Sequence, residues 1–187
     1  MDDVLAAAAE VQTLFQTYAW RFAIIGGVAN AAWGQIRATQ DVDFTLLTLF
    51  QDEAEFIDRI LETYETRIAD AKSFALEARV LLLAAPNGIG IDVGLGGFPY
   101  EEQMIERAMD FDFGRGRVLR IASPEDLILL KAFAGRMQDW ADVEGIVRRQ
   151  GVGLDWPYID RQALEFAEIK EDPSLLEKLE AIRLRWP

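Results

Sequence analysis

The chain contains neither cysteine nor histidine. Without those ligands a structural zinc site is excluded, and so are the Ser-His-Asp and Cys-His nucleophile arrangements. A disulfide framework is excluded as well, and nothing implies an oxidising compartment. Any metal must be held through oxygen, which favours magnesium, manganese or calcium. Basic residues are also scarce. Lys and Arg number 19 against 32 Asp and Glu, a formal net charge of −13 with a pI near 4.4. That balance argues against a protein that coats nucleic acid by charge alone. No apolar run is long enough for a membrane span. The start, Met1-Asp2-Asp3, has no positive leader region, so the expected location is the cytoplasm.

What is present suits a folded chain. At 187 residues and 51% hydrophobic content one domain, or one with a small appendage, can bury a core. Apolar spacing predicts a helix over residues 3–17, and 22–25 reads as a buried strand stopping at Gly26-Gly27. A helix is expected over 28–33, a strand over 41–47, and a helix with an acidic first turn over 53–64. A strand is expected over 74–84, then a Pro86-Asn87-Gly88 turn and a partner strand over 89–95. Residues 100–109 read as a short helix and 117–121 as a strand. Ser123-Pro124-Glu125-Asp126 is a helix start, with an N-cap serine, an N1 proline and acids in the first turn. That helix should break near Gly135, with further helices over 137–150, 154–167 and 173–183. The expectation is an α/β (α+β) fold, a small mixed sheet flanked by helices. The core should span 1–122, with a helical segment over 123–187 packed on it.

The stretch 26–44 carries the chemistry. Residues two apart on a strand share a face, so Asp41 and Asp43 point the same way, roughly 7 Å apart, while Val42 and Phe44 face a core. Two carboxylates so placed repel unless a cation lies between them, and magnesium bridged to phosphate suits that arrangement. Gly26 and Gly27 close a strand and open a helix, where a phosphate can approach the backbone and meet the positive end of the helix dipole. Asp92 is a lone acid in an apolar strand and needs a partner there.

These residues resemble the signature of the DNA polymerase beta-like nucleotidyltransferase superfamily: Gly-Gly, a spacer (here 13 residues, 28–40), Asp-hydrophobic-Asp, and a third carboxylate on a later strand. The Arg37-x-Thr39-x-Asp41-x-Asp43 form looks most like the AbiEii-type branch, the toxin component of type IV toxin–antitoxin pairs. That branch also carries a helical run matched here by Lys131-Ala-Phe-Ala134-Gly-Arg136-Met-Gln-Asp139-Trp-Ala-Asp142. The resemblance implies a nucleotidyltransferase-type sheet and a set of roles. Asp41, Asp43 and Asp92 would ligate Mg2+ or Mn2+, and Asp92 could also activate the attacking group. Gly26 and Gly27 would cradle the NTP triphosphate. Lys131 would bind nucleotide phosphate, and Arg37, with Thr39, would touch phosphate or brace the Asp-x-Asp strand. Arg136 and Asp139 would lie near the nucleotide. Read as structure alone, Arg136, Asp139 and Asp142 would be a salt-linked helix face, and Lys131 a surface lysine that snorkels.

The acceptor is left open. RNA, such as a tRNA 3′ end, fits the toxin branch, which would also bring a cognate antitoxin as partner. A small hydroxylated antibiotic fits other members of the superfamily. A non-catalytic nucleotide-binding or interaction module is the alternative from another class. Residues 41–109 hold a net −9, whereas 110–149 are neutral and contain Arg115, Arg117 and Arg120. Those three arginines either line a cleft or guard an exposed edge strand.

Overall fold

The structure, a computed structural model, describes residues 1–186. It divides into two compact units. Of the described residues, the first comprises 1–29 and 37–122, the second 30–36 and 123–186.

The first unit holds a seven-stranded mixed sheet. In chain order it comprises α1 (Asp2–Thr17), β1 (Phe22–Ile24), the first turn of α2 (Gly26–Trp33), β2 (Asp41–Leu47), α3 (Glu53–Leu61), β3 (Glu65–Thr66), α4 (Ala71–Ala78), β4 (Val80–Ala84), β5 (Gly90–Gly96), α5 (Pro99–Arg107), β6 (Met109–Asp112) and β7 (Val118–Ile121). The strand order is β3-β4-β5-β2-β1-β7-β6. The central ladder, β2 with β5, is parallel, and so is β1 with β7; the remaining neighbours are antiparallel. One face of the sheet is apolar. Val42 and Phe44 of β2, Leu81 and Leu83 of β4, and Ile91 and Val93 of β5 are all buried. Phe15 of α1 is fully buried with its ring edge-on to both Phe22 and Phe44, centroids 5.4 Å away in each case. Burying such a ring contributes about 2–3 kcal/mol, and it adds to the burial of Val4, Leu5 and Val11 on the same helix.

The second unit is helical: the remainder of α2, then α6 (Pro124–Ala134), α7 (Met137–Gln150), a 3-10 turn (Gly151–Gly153), α8 (Trp156–Lys170) and α9 (Ser174–Arg185). Ser123 caps α6 by accepting from Asp126 N at 3.1 Å, and Gly135 ends it at φ 71°. Within this unit the last turn of α7 caps α2. Arg149 Nη1 donates to Gly34 O at 2.8 Å and Gln150 Nε2 to Trp33 O at 2.7 Å. Among the described residues, no helix is long and apolar enough to cross a membrane.

One expectation fails, and two of the alternative readings do not hold. The run 74–84 is a helix, α4, followed by a strand, β4, rather than one strand. Only Ala71 and Ala75 of α4 are buried, a spacing of four, and Arg79 ends the helix at φ 55° before alternation begins with Leu81 and Leu83. Second, β7 is not an edge strand, because β6 covers it. The arginines have partners instead: Arg115 and Arg117, in the connection from β6, both pair with Asp2 of α1, and Arg120 Nη2 of β7 donates to Ile105 O. Third, Lys131 does not lie at the surface; it is buried.

Arg79 also closes the loop that follows β2. Its guanidinium donates to Glu53 and to Leu95 O, and lies 4.4 Å from the Phe50 ring centroid. The hydrogen bond from Arg79 holds the Glu53 carboxyl below its ordinary range. A depressed carboxylate adds stability above its unfolded pKa and loses it as pH falls through the folded value. Arg79→Met is therefore expected to be less stable than the parent at pH 7, with the gap narrowing toward pH 3, as urea midpoints at the two pH values will show.

Candidate active site

The parallel β2–β5 ladder sets the geometry. Asp43 lies opposite Asp92, and Asp41 opposite Gly90. Directly paired residues share a face, as do residues two apart, so Asp41, Asp43 and Asp92 stand together on the face opposite Val42, Phe44, Ile91 and Val93. All three are partly exposed, whereas their apolar neighbours are buried.

The glycine turn lies directly against this face. Ile25 N donates to Asp43 O at 2.9 Å, joining the end of β1 to β2. Gly26 then turns the chain into α2 at φ +62°. A Cβ on Gly26 would fall on the Asp43 carboxylate, 2.6 Å from Cγ. A Cβ on Gly27 would collide with Thr39, 2.8 Å from its Cβ. The Thr39 hydroxyl in turn donates to Asp41 Oδ1 at 3.0 Å. Thr39 thus links the second glycine to the first aspartate. Arg37 is half-buried in the connection leading to β2.

Asp92 has a partner that sequence reasoning missed. Arg67, just beyond β3, pairs with it through Nη2. The Arg67 backbone N is fixed by a bond to Leu82 O at 3.1 Å, and its Nη1 lies over Gly90, 3.1 Å from where a Cβ would be. The guanidinium therefore lies across the carboxylate face beside Asp41. Burial raises the Asp92 pKa above the ordinary carboxylate value; the Asp41 charge adds to the rise, and Arg67 opposes it. Nothing in a two-residue exposed strand announces such an arginine; its only signal was the partner that a lone acid in an apolar strand requires.

Do these residues suit a divalent ion? Hard oxygen donors on one face, backed by a glycine cradle that no side chain could share, suit magnesium or manganese. Yet among the described residues no three acidic groups are gathered as a ready metal cage, and Asp92 is engaged by Arg67. The three carboxylates are donors of the kind such an ion takes, and for Asp92 that requires its pair with Arg67 to open.

In the second unit the run 131–142 forms a buried ionic cluster. The Lys131 ammonium lies 2.7 Å from Asp142 Oδ2 and 3.7 Å from Asp139 Oδ1, with all three side chains at most 7% exposed. Asp142 Oδ1 accepts from Asn30 Nδ2 at 3.3 Å, a residue that sequence reasoning did not single out. Asp139 caps α7 by accepting from Arg136 N at 3.2 Å and also pairs with Arg136 Nε at 2.6 Å. Burial alone would raise the Asp139 pKa, but Arg136 and Lys131 outweigh it and the net shift is downward. The salt-linked helix face expected for Arg136, Asp139 and Asp142 is present, with Lys131 at its centre.

Such a fold, with paired aspartates on one strand and a third on its parallel neighbour, defines a nucleotidyltransferase-type protein. The chain belongs to the nucleotidyl transferase family of unknown function (DUF2204), whose model matches residues 4–181. Two solved structures share the fold. An antigenic nucleotidyltransferase-like protein from Paracoccidioides brasiliensis is 14% identical with a TM-score of 0.56, covering 97% of this chain and 94% of its own. The lincosamide antibiotic adenylyltransferase LnuA, in its lincomycin-bound form, is 13% identical with a TM-score of 0.52, covering 75% of this chain and 94% of its own. No curated protein matches the chain.

Proposed function

We propose that the protein transfers a nucleotidyl group from an NTP to an acceptor hydroxyl and releases pyrophosphate. The observation that carries this reading is the pairing of Asp43 with Asp92 across parallel strands, with Gly26 so close to Asp43 that no side chain fits between them. Asp41 and Asp43 would hold a magnesium ion, which when bound neutralises phosphate charge. Gly26 and Gly27 present the first N–H groups of α2 to the triphosphate, since a helix start leaves those donors without intrahelical partners. Thr39 keeps Asp41 oriented. Asp92, the third carboxylate on the face, takes the proton of the acceptor hydroxyl. The new bond joins the acceptor oxygen to the α-phosphorus, and the bond to pyrophosphate breaks.

Two acceptors have support. The Arg37-to-Asp43 and Lys131-to-Asp142 runs support an RNA end, as in the AbiEii-type toxin branch, with an antitoxin as partner and a cytoplasmic setting. The net −9 of residues 41–109 and the fold shared with a lincomycin-bound enzyme support a small, cationic, hydroxylated compound, since a field of that sign draws cations and repels polyanions. Incubation with labelled NTPs and Mg2+, in one arm with total tRNA and in the other with lincosamides and aminoglycosides, separates them. Label is expected in one arm, falling by about a thousandfold or more in Asp41→Asn. Equal labelling by Asp41→Asn would refute the assignment.

A further inference from the structure

Arg67 is a group on the carboxylate face that neither the glycine turn nor the Asp-x-Asp strand explains. It reaches the face from outside the β2–β5 pair, its backbone tied to β4 through Leu82 O and its guanidinium lying over Gly90, the register partner of Asp41. Its target is Asp92, the third carboxylate. Arg67 keeps its charge at every physiological pH and has no lone pair to offer a metal. A divalent ion binding through the Asp92 carboxylate therefore meets a fixed positive charge already bonded to an oxygen it needs.

We propose that Arg67 is an internal counter-cation for Asp92: it holds the third carboxylate until a divalent ion displaces it, and so sets the affinity of the site for that ion. This rests on the reading of Asp41, Asp43 and Asp92 as metal-binding carboxylates. The pair suits the task because both side chains are about one-third exposed, 37% for Arg67 and 31% for Asp92. A pair with that much solvent is weak enough to exchange, unlike the sealed cluster around Lys131. The long arginine side chain can withdraw while its backbone stays on Leu82. Once displaced, its planar fork remains near Gly90, free to meet an anionic group bidentately.

The test uses Mn2+ alone, with the intact protein and no nucleotide, and reads binding by paramagnetic resonance of the free ion. Arg67→Met is expected to bind Mn2+ about tenfold more tightly than the parent, because a neighbouring positive charge has been removed. Arg67→Lys should stay near the parent, since charge rather than shape is at issue. Asp92→Asn should weaken binding, and in its presence Arg67→Met should no longer alter the affinity. A second readout needs no affinity: in a nitrogen-labelled sample the Arg67 Nε–Hε resonance should move when Mg2+ is added, and stay still in Asp92→Asn. Unchanged or weaker Mn2+ binding by Arg67→Met, with binding abolished by Asp41→Asn, would overturn the counter-cation while leaving the metal site intact. Absence of Mn2+ binding in the parent and Arg67→Met alike would overturn both.

Discussion

Replacing Lys131 with methionine is expected to destabilise the second unit by about 3 kcal/mol and lower its unfolding midpoint by about 10 °C or more. The ammonium lies 2.7 Å from Asp142 and 3.7 Å from Asp139, and all three groups are buried; Asp139 also pairs with the exposed Arg136. Methionine nearly matches the volume of lysine, so the loss is electrostatic, the removal of an ammonium 2.7 Å from a buried carboxylate. A second change separates charge from packing. Adding Asp142→Leu removes the stranded carboxylate and should restore a large part of the stability, because a buried ion pair is often no more stabilising than an apolar replacement. Tryptophan fluorescence is a suitable probe, since Trp33, Trp140, Trp156 and Trp186 lie in the second unit and only Trp20 in the first. A midpoint within about 2 °C of the parent would mean that the cluster contributes no more than an exposed pair.

The second large effect is expected at Gly26. Gly26→Ala introduces a methyl group onto the Asp43 carboxylate, 2.6 Å from Cγ, at φ +62°. The left-handed backbone alone costs alanine about 1–2 kcal/mol, and the overlap adds a comparable amount because Asp43 is fixed in a strand. Gly88→Ala isolates the first contribution: its φ is +81° and nothing lies within 4 Å of the added carbon. We expect Gly88→Ala to lose about 1 kcal/mol with full activity, and Gly26→Ala to lose about 3 kcal/mol together with about a hundredfold or more in transfer rate, since displacing a reacting group by an ångström has that effect. Denaturant midpoints and transfer rates measured on both variants check this. Equal losses in the two proteins would mean that Gly26 serves only the turn.

Much of the site was legible because it is local. The alternation Asp41-Val42-Asp43-Phe44 states its own faces, and β2 runs over 41–47 as expected. Ser123 and Gly135 bound α6 as their chemistry predicts. The departures come from contacts that spacing cannot show. Phe74 and Leu76 suggested a buried strand, yet they are 39% and 46% exposed on a helix whose packing face is two alanines. The positive φ of Arg79 that ends this helix has no signal, because the residue is not glycine. Arg67 was missed since its importance comes from a strand 25 residues later, and the burial of Lys131 was missed, under the phosphate role and the surface alternative alike, because its two carboxylates lie beyond a helix break.

The parallel register of β2 and β5 has a consequence for how the protein can change. Side chains alternate with a period of two, so a slip of one residue would send Asp92 through to the apolar face while Asp43 stayed behind. The carboxylate set is thus all-or-none with respect to strand length. A one-residue insertion or deletion that shifts the register of Gly90–Gly96 erases it, whereas the turn at Pro86-Asn87-Gly88, upstream of the ladder, can lengthen freely without moving a single carboxylate. Natural variation in chain length among relatives that keep the chemistry should therefore collect in that turn and stop at Gly90.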